Sequence, residues 1–260
     1  MPACEGAELA VASSYGDEGE MRAALEGMET LYFVSGREDA DRLEQHRTVV
    51  RAAVAAGIEA IVYVSFLGAG ADATFTLARY HWATEEAIRG SGLAFTFLRS
   101  SLYVDFGPFL AGPKGVIRGP AGEGRLAPVS RDDLADVATA ILTVSGEHDG
   151  KTYELTGPEL LGVAEFAERL STYTGSALRY AEETVEEAWE SRRPSGAPDR
   201  EIEGWVSSYL AMADGSLAVK TDAVETSPAT PRRRSSASMP IPNSWAAGNP
   251  PRDPAAPARA

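Results

Sequence analysis

The sequence predicts an α/β protein built on a doubly wound parallel sheet, with a smaller C-terminal part. Three observations predict it. "TLYFVS" (30–35), "AIVYVSF" (60–66) and "AFTFLRSSLY" (94–103) are continuous β-branched and aromatic runs, the pattern of strands buried on both faces. A helical stretch separates each from the next. Strand–helix–strand repetition of this kind joins parallel neighbours by crossovers.

The elements follow in order. "ELAVAS" (8–13) reads as a short strand, and "DEGEMRAALEG" as the helix after it. "EDADRLEQHRTVVRAAVAAG" is a helix closed at Gly57, a residue suited to a left-handed C-cap. "TLARYHWATEEAIRGSG" is a second crossover helix, also closed by glycine. After residue 105 the rhythm changes. "GVIRGPAGEGRLAPVS" clusters glycines between two short β segments, as in a hairpin-like excursion. "SRDDLADVATAILT" is a helix with Ser130 as N-cap and Asp133 at the reciprocal position. "KTYELTG" is a further strand, and Gly157-Pro158 turn it into the helix "GVAEFAERLSTYTG". "ALRYAEE", "TVEEAWESR" and "EIEGWVSSYLAMADG" complete the smaller part, against which a substrate pocket is expected.

The 260 residues carry a net charge of -14. So acidic a chain disfavours nucleic acid or an anionic membrane as partner. No run reaches the length of a membrane span, and the N-terminus lacks a signal pattern. The single cysteine, Cys4, excludes an internal disulfide and a cysteine-based metal site and suits the cytoplasm. Residues 226–260 differ in kind. They hold half of the 16 prolines and five arginines against one acidic residue, Asp253. That composition predicts disorder. Its "RRRSS" reads either as part of an untied basic tail or as a binding or phosphorylation patch.

In a doubly wound fold, ligands bind beyond the carboxyl ends of the strands. Those ends are Ser13-Ser14-Tyr15, Ser35-Gly36, Ser65-Phe66 and Arg99-Ser100-Ser101, small and polar at every position. No glycine-rich phosphate turn and no P-loop lysine occurs. No tyrosine has a lysine four places on, and the three lysines, Lys114, Lys151 and Lys220, all follow the main strand–helix array. A tyrosine–lysine proton relay is thereby excluded. His81 shares a helical face with Leu77, Thr84 and Ile88. It is either a partly buried histidine bonded to a backbone carbonyl or an active-site group. His46, in a charged helix, and His148, in a polar loop, read as solvated. The three are too scattered for a metal site. Trp189, Trp205 and Tyr209 read as packing residues of the C-terminal helices ahead of the alternative, an aromatic ligand wall.

"YFVSGREDADRLEQHRTVVRAAVAAGIEAIVYVSFLGA", "ARYHWATEEAIRGSGLAFTFLRSSLY", "GPAGEGRLAPVSRDDLADVA" and "YELTGPE" succeed one another in this order. Together they resemble the NmrA-like atypical short-chain dehydrogenases, nearest to the NAD(P)H:quinone oxidoreductase type. The likeness runs from about Glu8 to about Glu225. It implies a Rossmann-like domain that binds NADP or NAD, with a small α+β substrate lobe built mainly from about 105–120 and 157–225. It implies cofactor contacts at Tyr15, at Ser35, Gly36 and Arg37, and at Arg99, Ser100 and Ser101. An acidic residue common beside the first of these is Ser14 here. His81 stands where members carry histidine or lysine beside the cofactor. A proton for the reduced acceptor would come from water, Tyr103 or His81. The implied activity is hydride transfer to a small quinone or similar carbonyl, impaired in this truncated form, for which poor cofactor binding is expected; the other activity the family allows is NAD(P) sensing without turnover.

Members of this family begin with a strand, a G-x-x-G-x-x-G turn, a helix and a second strand, ahead of the segment that starts here at Glu8. The resemblance therefore predicts a sheet truncated at its N-terminal side and a reading frame that continues upstream of Met1. It also predicts that the residues from about 226 are read out of frame.

Overall fold

The computed structural model describes residues 12, 14–112, 114–144 and 146–226. The opening apolar run other than Ala12, Cys4, and the tail from 227 lie outside the described residues. In chain order the elements are α1 (Glu18–Leu25), β1 (Thr30–Val34), α2 (Arg42–Ala56), β2 (Ala60–Phe66), α3 (Thr76–Arg89) and β3 (Ala94–Ser100). A 3-10 turn, Val104–Phe106, runs into α4 (Gly107–Leu110). There follow β4 (Val116–Gly119), β5 (Arg125–Leu126), α5 (Arg131–Leu142), β6 (Lys151–Leu155), β7 (Leu161–Gly162), α6 (Val163–Thr174) and β8 (Arg179–Glu182). The last are α7 (Val185–Arg192), α8 (Asp199–Ala213) and α9 (Ala223–Thr226).

The main sheet has the order β1-β2-β3-β6, and every neighbour pair is parallel. This is the α/β, Rossmann-like arrangement the strand–helix alternation implies. Both faces are covered, and the period of two along β2 shows how. Ile61 and Tyr63 point into a core shared with α1, α2 and α3, beside Phe33, Val49, Ile88 and Phe97. Val62 and Val64 point into the opposite core, against Leu134, Val137 and Ile141 of α5. A strand buried on both faces has no polar side to show, which is why β2 reads as an unbroken apolar run. Gly57 closes α2 with φ 82°, in the left-handed region. Gly90 closes α3 in ordinary helical conformation, and the left-handed residue there is Gly92.

The glycine-rich segment is not a hairpin. β4 pairs in parallel with β8, and β5 pairs antiparallel with β7. α8 explains the separation. A β-carbon on Gly119 would collide with the Tyr209 ring, and one on Gly124 with the Met212 backbone. The glycines are there to let α8 lie on this segment, and β4 and β5 find their partners in later chain. Ser130 caps α5 as its sequence predicts, its Oγ accepting from Asp133 N at 3.0 Å. A third core forms between this smaller layer and the strand ends, from Phe66, Phe75, Ile117, Leu126, Phe166, Leu170, Tyr209 and Met212. The register Phe66↔Ser100↔Leu155 and Val34↔Val64 brings the carboxyl ends of the strands to one edge, facing that layer.

Candidate functional site

A cavity of about 580 Å³ opens along this edge. Its floor is the carboxyl ends of three strands: Val34 to Arg37 after β1, Val64 to Phe66 of β2, and Ser100 to Tyr103 after β3. α3 contributes Leu77 and His81, and α2 contributes Arg42. The far wall is apolar, with Phe166 of α6 and Trp205, Tyr209 and Met212 of α8. Trp205 and Tyr209 thus line a cavity as well as packing helices together. Trp189 does pack, against Ala188, Ile202 and Val206 between α7 and α8.

Behind the floor lie two hydrogen-bonded groups, one around each of two histidines. An Arg42 guanidinium nitrogen lies 3.2 Å from His81 Nε2 and can only donate, so Nε2 accepts. His81 therefore carries its proton on Nδ1, 2.9 Å from the Tyr63 hydroxyl. Beside it, Thr84 donates to the Tyr80 carbonyl at 2.9 Å, so it accepts from His46 Nδ1, which is 2.9 Å away. The Gly36 N–H donates to His46 Nε2 at 2.9 Å. Both imidazoles are thus fixed as neutral Nδ1–H tautomers. Burial lowers His81 well below the usual histidine range, and the charge of Arg42 and His46 lowers it further. Burial lowers His46 to about 3, with Arg42 acting in the same sense and Asp39 against it.

His46 is 1 % exposed, not solvated. The charged residues around it occupy the outer face of α2, while Arg42, His46, Val49, Val50 and Ala53 form its buried stripe. His81 is buried on the stripe its spacing predicts, but its partners are side chains, not a backbone carbonyl. His148 is half-buried, its Nδ1 2.8 Å from the Tyr153 hydroxyl.

Tyr103 stands at the cavity with its hydroxyl 3.1 Å from Ser100 Oγ, which also lies 3.3 Å from the Ser65 carbonyl. Burial raises its pKa, so the phenol stays protonated at neutral pH. Asp105 anchors the loop that carries it, accepting from Arg131 N at 3.1 Å and pairing with Arg131 Nε at 3.2 Å.

The cavity brings together Ser35, Gly36, Arg37, His81, Ser100, Ser101 and Tyr103. Tyr15 lies behind it, its hydroxyl donating to the Val34 carbonyl at 3.1 Å and its ring edge-on to Phe33. Arg99 points elsewhere. It grips Glu85 with Nε at 2.8 Å and a terminal nitrogen at 2.7 Å, and borders a separate shallow depression with Arg89 and Thr221. Glu85, fully buried, also accepts from Ser65 Oγ at 2.6 Å. The sequence pattern did not single out Arg42 or Glu85. A cation four residues before His46, on the same apolar stripe, was the available signal for Arg42.

These residues fit the nicotinamide end of a dinucleotide. The cavity offers hydroxyl groups at the strand ends, apolar side chains from α6 and α8, and a buried guanidinium whose Nε has no hydrogen-bond partner. Among the described residues, no glycine-rich strand-to-helix turn is present to cradle a pyrophosphate. No group of metal-ligating side chains occurs among them, and no helix is long and apolar enough to cross a membrane.

Comparison with known proteins gives the family. Residues 3–144 match the family described as NAD(P)H-binding. Quinone oxidoreductase 2 of Escherichia coli (strain K12) is 32% identical over 210 residues, which are 79% of this chain and 72% of that protein. An NAD(P)H azoreductase of Xenophilus azovorans is 28% identical over 86% of this chain and 79% of its own length. The crystal structure of the Escherichia coli NADPH-dependent quinone oxidoreductase in complex with NADPH superposes with a TM-score of 0.73, at 30% identity, covering 83% of this chain and 76% of that one. The chain belongs to the NAD(P)H-binding, NmrA-like atypical short-chain dehydrogenases/reductases of the quinone oxidoreductase type.

Proposed function

We propose that this protein is an NAD(P)H-dependent reductase whose acceptor is a quinone or a similar flat carbonyl compound. The observation that carries the reading is the cavity itself. At the strand ends where this fold binds dinucleotides, Ser35, Ser100, Ser101 and Tyr103 face an apolar wall of Phe166, Trp205, Tyr209 and Met212. The relatives named above are, by their names, a quinone oxidoreductase and an NAD(P)H azoreductase, which supports the reading.

Bound NAD(P)H supplies the hydride. The chain supplies orientation and proton management. The apolar wall excludes water from the acceptor face. Tyr103, protonated and standing on the cavity lining, is the group placed to donate to the acceptor oxygen. His81 has no proton to give toward the cavity, because Nε2 accepts from Arg42 and the Nδ1 proton goes to Tyr63. It serves by holding Arg42.

The test is oxidation of NADPH and NADH with a panel of quinones. Turnover supports the reading, and Tyr103→Phe should then lower kcat by about 100-fold while leaving cofactor affinity unchanged. Tight NADPH binding with no turnover on any quinone would instead favour a dinucleotide sensor.

A further inference from the structure

Arg42 is 4 % exposed and lies on the cavity wall. Among the described residues its guanidinium has no carboxylate within ion-pair distance, and its side-chain hydrogen bond goes to a neutral histidine. Its Nε is buried without a partner. Glu38, also on the lining, feels the charge but does not reach it.

Ordinary reasons for a buried arginine do not apply. It forms no structural ion pair, unlike Arg99 on Glu85. It does not reach solvent with its charged head, as long cationic side chains usually do. Nor does it stabilise its helix. It is the first residue of α2, where the helix dipole already presents positive charge and a cation is unfavourable. A buried cation without a counter-charge is costly in a resting protein. Yet its bond to His81, itself bonded to the Tyr63 hydroxyl, fixes it in place. Such an arrangement is satisfied only when a ligand brings negative charge.

We infer that Arg42 is the anion-receiving group of this cavity, placed to bind a negatively charged oxygen of the ligand. This rests on the reductase reading for the ligand's identity, not for the site's chemistry. Two sources have that chemistry: a phosphoryl oxygen of the dinucleotide, and the acceptor oxygen that becomes anionic as hydride arrives. In the second case hydride adds to the conjugated acceptor and the displaced electron pair comes to rest on its oxygen. Arg42 stabilises that charge without losing a proton, the oxygen then takes the Tyr103 or solvent proton, and NAD(P)⁺ leaves.

The test compares the full chain with Arg42→Gln and Arg42→Lys. Three quantities are read: the melting midpoint with and without inorganic phosphate, NADPH affinity by fluorescence titration, and kcat and KM with a naphthoquinone. If the anion is the cofactor's, phosphate raises the wild-type midpoint but not that of Arg42→Gln. NADPH affinity then falls about tenfold or more, and kcat at saturating cofactor holds. If the anion is the acceptor's, NADPH affinity holds and kcat falls about 100-fold. In either case Arg42→Lys recovers part of the loss, since it keeps the charge but not the fork. Should Arg42→Gln fail to fold, the same comparisons are read on Arg42→Lys.

All three quantities within about twofold of wild type in Arg42→Gln would overturn the inference. So would a fall in melting midpoint that Arg42→Lys fully restores, with no phosphate response in wild type and ligand handling unchanged. A wild type that neither binds NADPH nor reduces any quinone overturns the reductase reading instead. The phosphate response then decides the Arg42 site alone, supporting it if it disappears in Arg42→Gln and refuting it if absent from wild type.

Discussion

His46 and His81 enter the folded protein neutral, and that has a consequence in acid. Burial holds His46 down to about 3 and His81 well below its usual value, whereas in the unfolded chain both titrate near 6.5. Below about pH 6.5 the unfolded state binds protons that the folded state refuses, so stability falls as pH falls. Above it the full contribution is present. At about pH 5.5 each histidine costs about 1.4 kcal/mol, up to ~3 kcal/mol for the pair. Urea titrations at about pH 7.5 and 5.5 should show this loss, and His46→Gln should show about half of it. A wild type equally stable at both pH values would mean that the imidazoles are not locked. His81 was legible because its neighbours at i−4, i+3 and i+7 are Leu77, Thr84 and Ile88. His46 was not, because the charges on the outer face of α2 mask a stripe that starts with an arginine. Arg99 shows the opposite limit. Its place at a strand end suggested a ligand contact, but the carboxylate that engages it, Glu85, comes from α3, and sequence spacing does not reveal that meeting.

The sheet strands could be read at the level of elements because each carries its own reason to be a strand. β2 and β3 are covered on both faces, and their runs of β-branched and aromatic residues turn polar only toward the carboxyl end, apart from Thr96. β4 and β5 carry no such reason. They are four and two residues long, and what pairs them is α8 pressing on the glycines around them. That dependence can be tested. A methyl group at Gly124 would meet the carbonyl group of Met212, which is backbone and cannot swing away. Gly124→Ala should destabilise the protein by about 1–3 kcal/mol, as overpacking does, and by thermal melting lower the midpoint accordingly. Because α8 carries Trp205 and Tyr209 of the cavity wall, the same variant should raise KM for the acceptor. Gly122→Ala is the control for glycine removal itself. A β-carbon there meets nothing, although its φ of 52° keeps it in the left-handed region, so its cost is backbone strain without a change in KM.

Over the whole molecule two long-range features oppose each other. One edge of β1 is paired with β2, and among the described residues no strand pairs with its other edge. That edge carries Tyr32, 37 % exposed, and Val34, 45 % exposed, with Met28 exposed just before it. An exposed apolar edge invites pairing with another chain. The net charge of -14 works against such association, because like-charged molecules repel until salt screens them. At low ionic strength repulsion reaches beyond the contact; near 1 M salt the screening length shrinks to about 3 Å and the edge is free to pair. Light scattering of the protein should therefore grow as sodium chloride is raised. Tyr32→Glu should suppress that growth at high salt by placing a charge on the edge. Val54→Glu, on the outer face of α2 and equally exposed to solvent in kind, adds the same charge to the molecule away from the edge. It should help at low salt and fail at high salt. If both variants behave alike at high salt, net charge alone governs solubility and the β1 edge has no part in it.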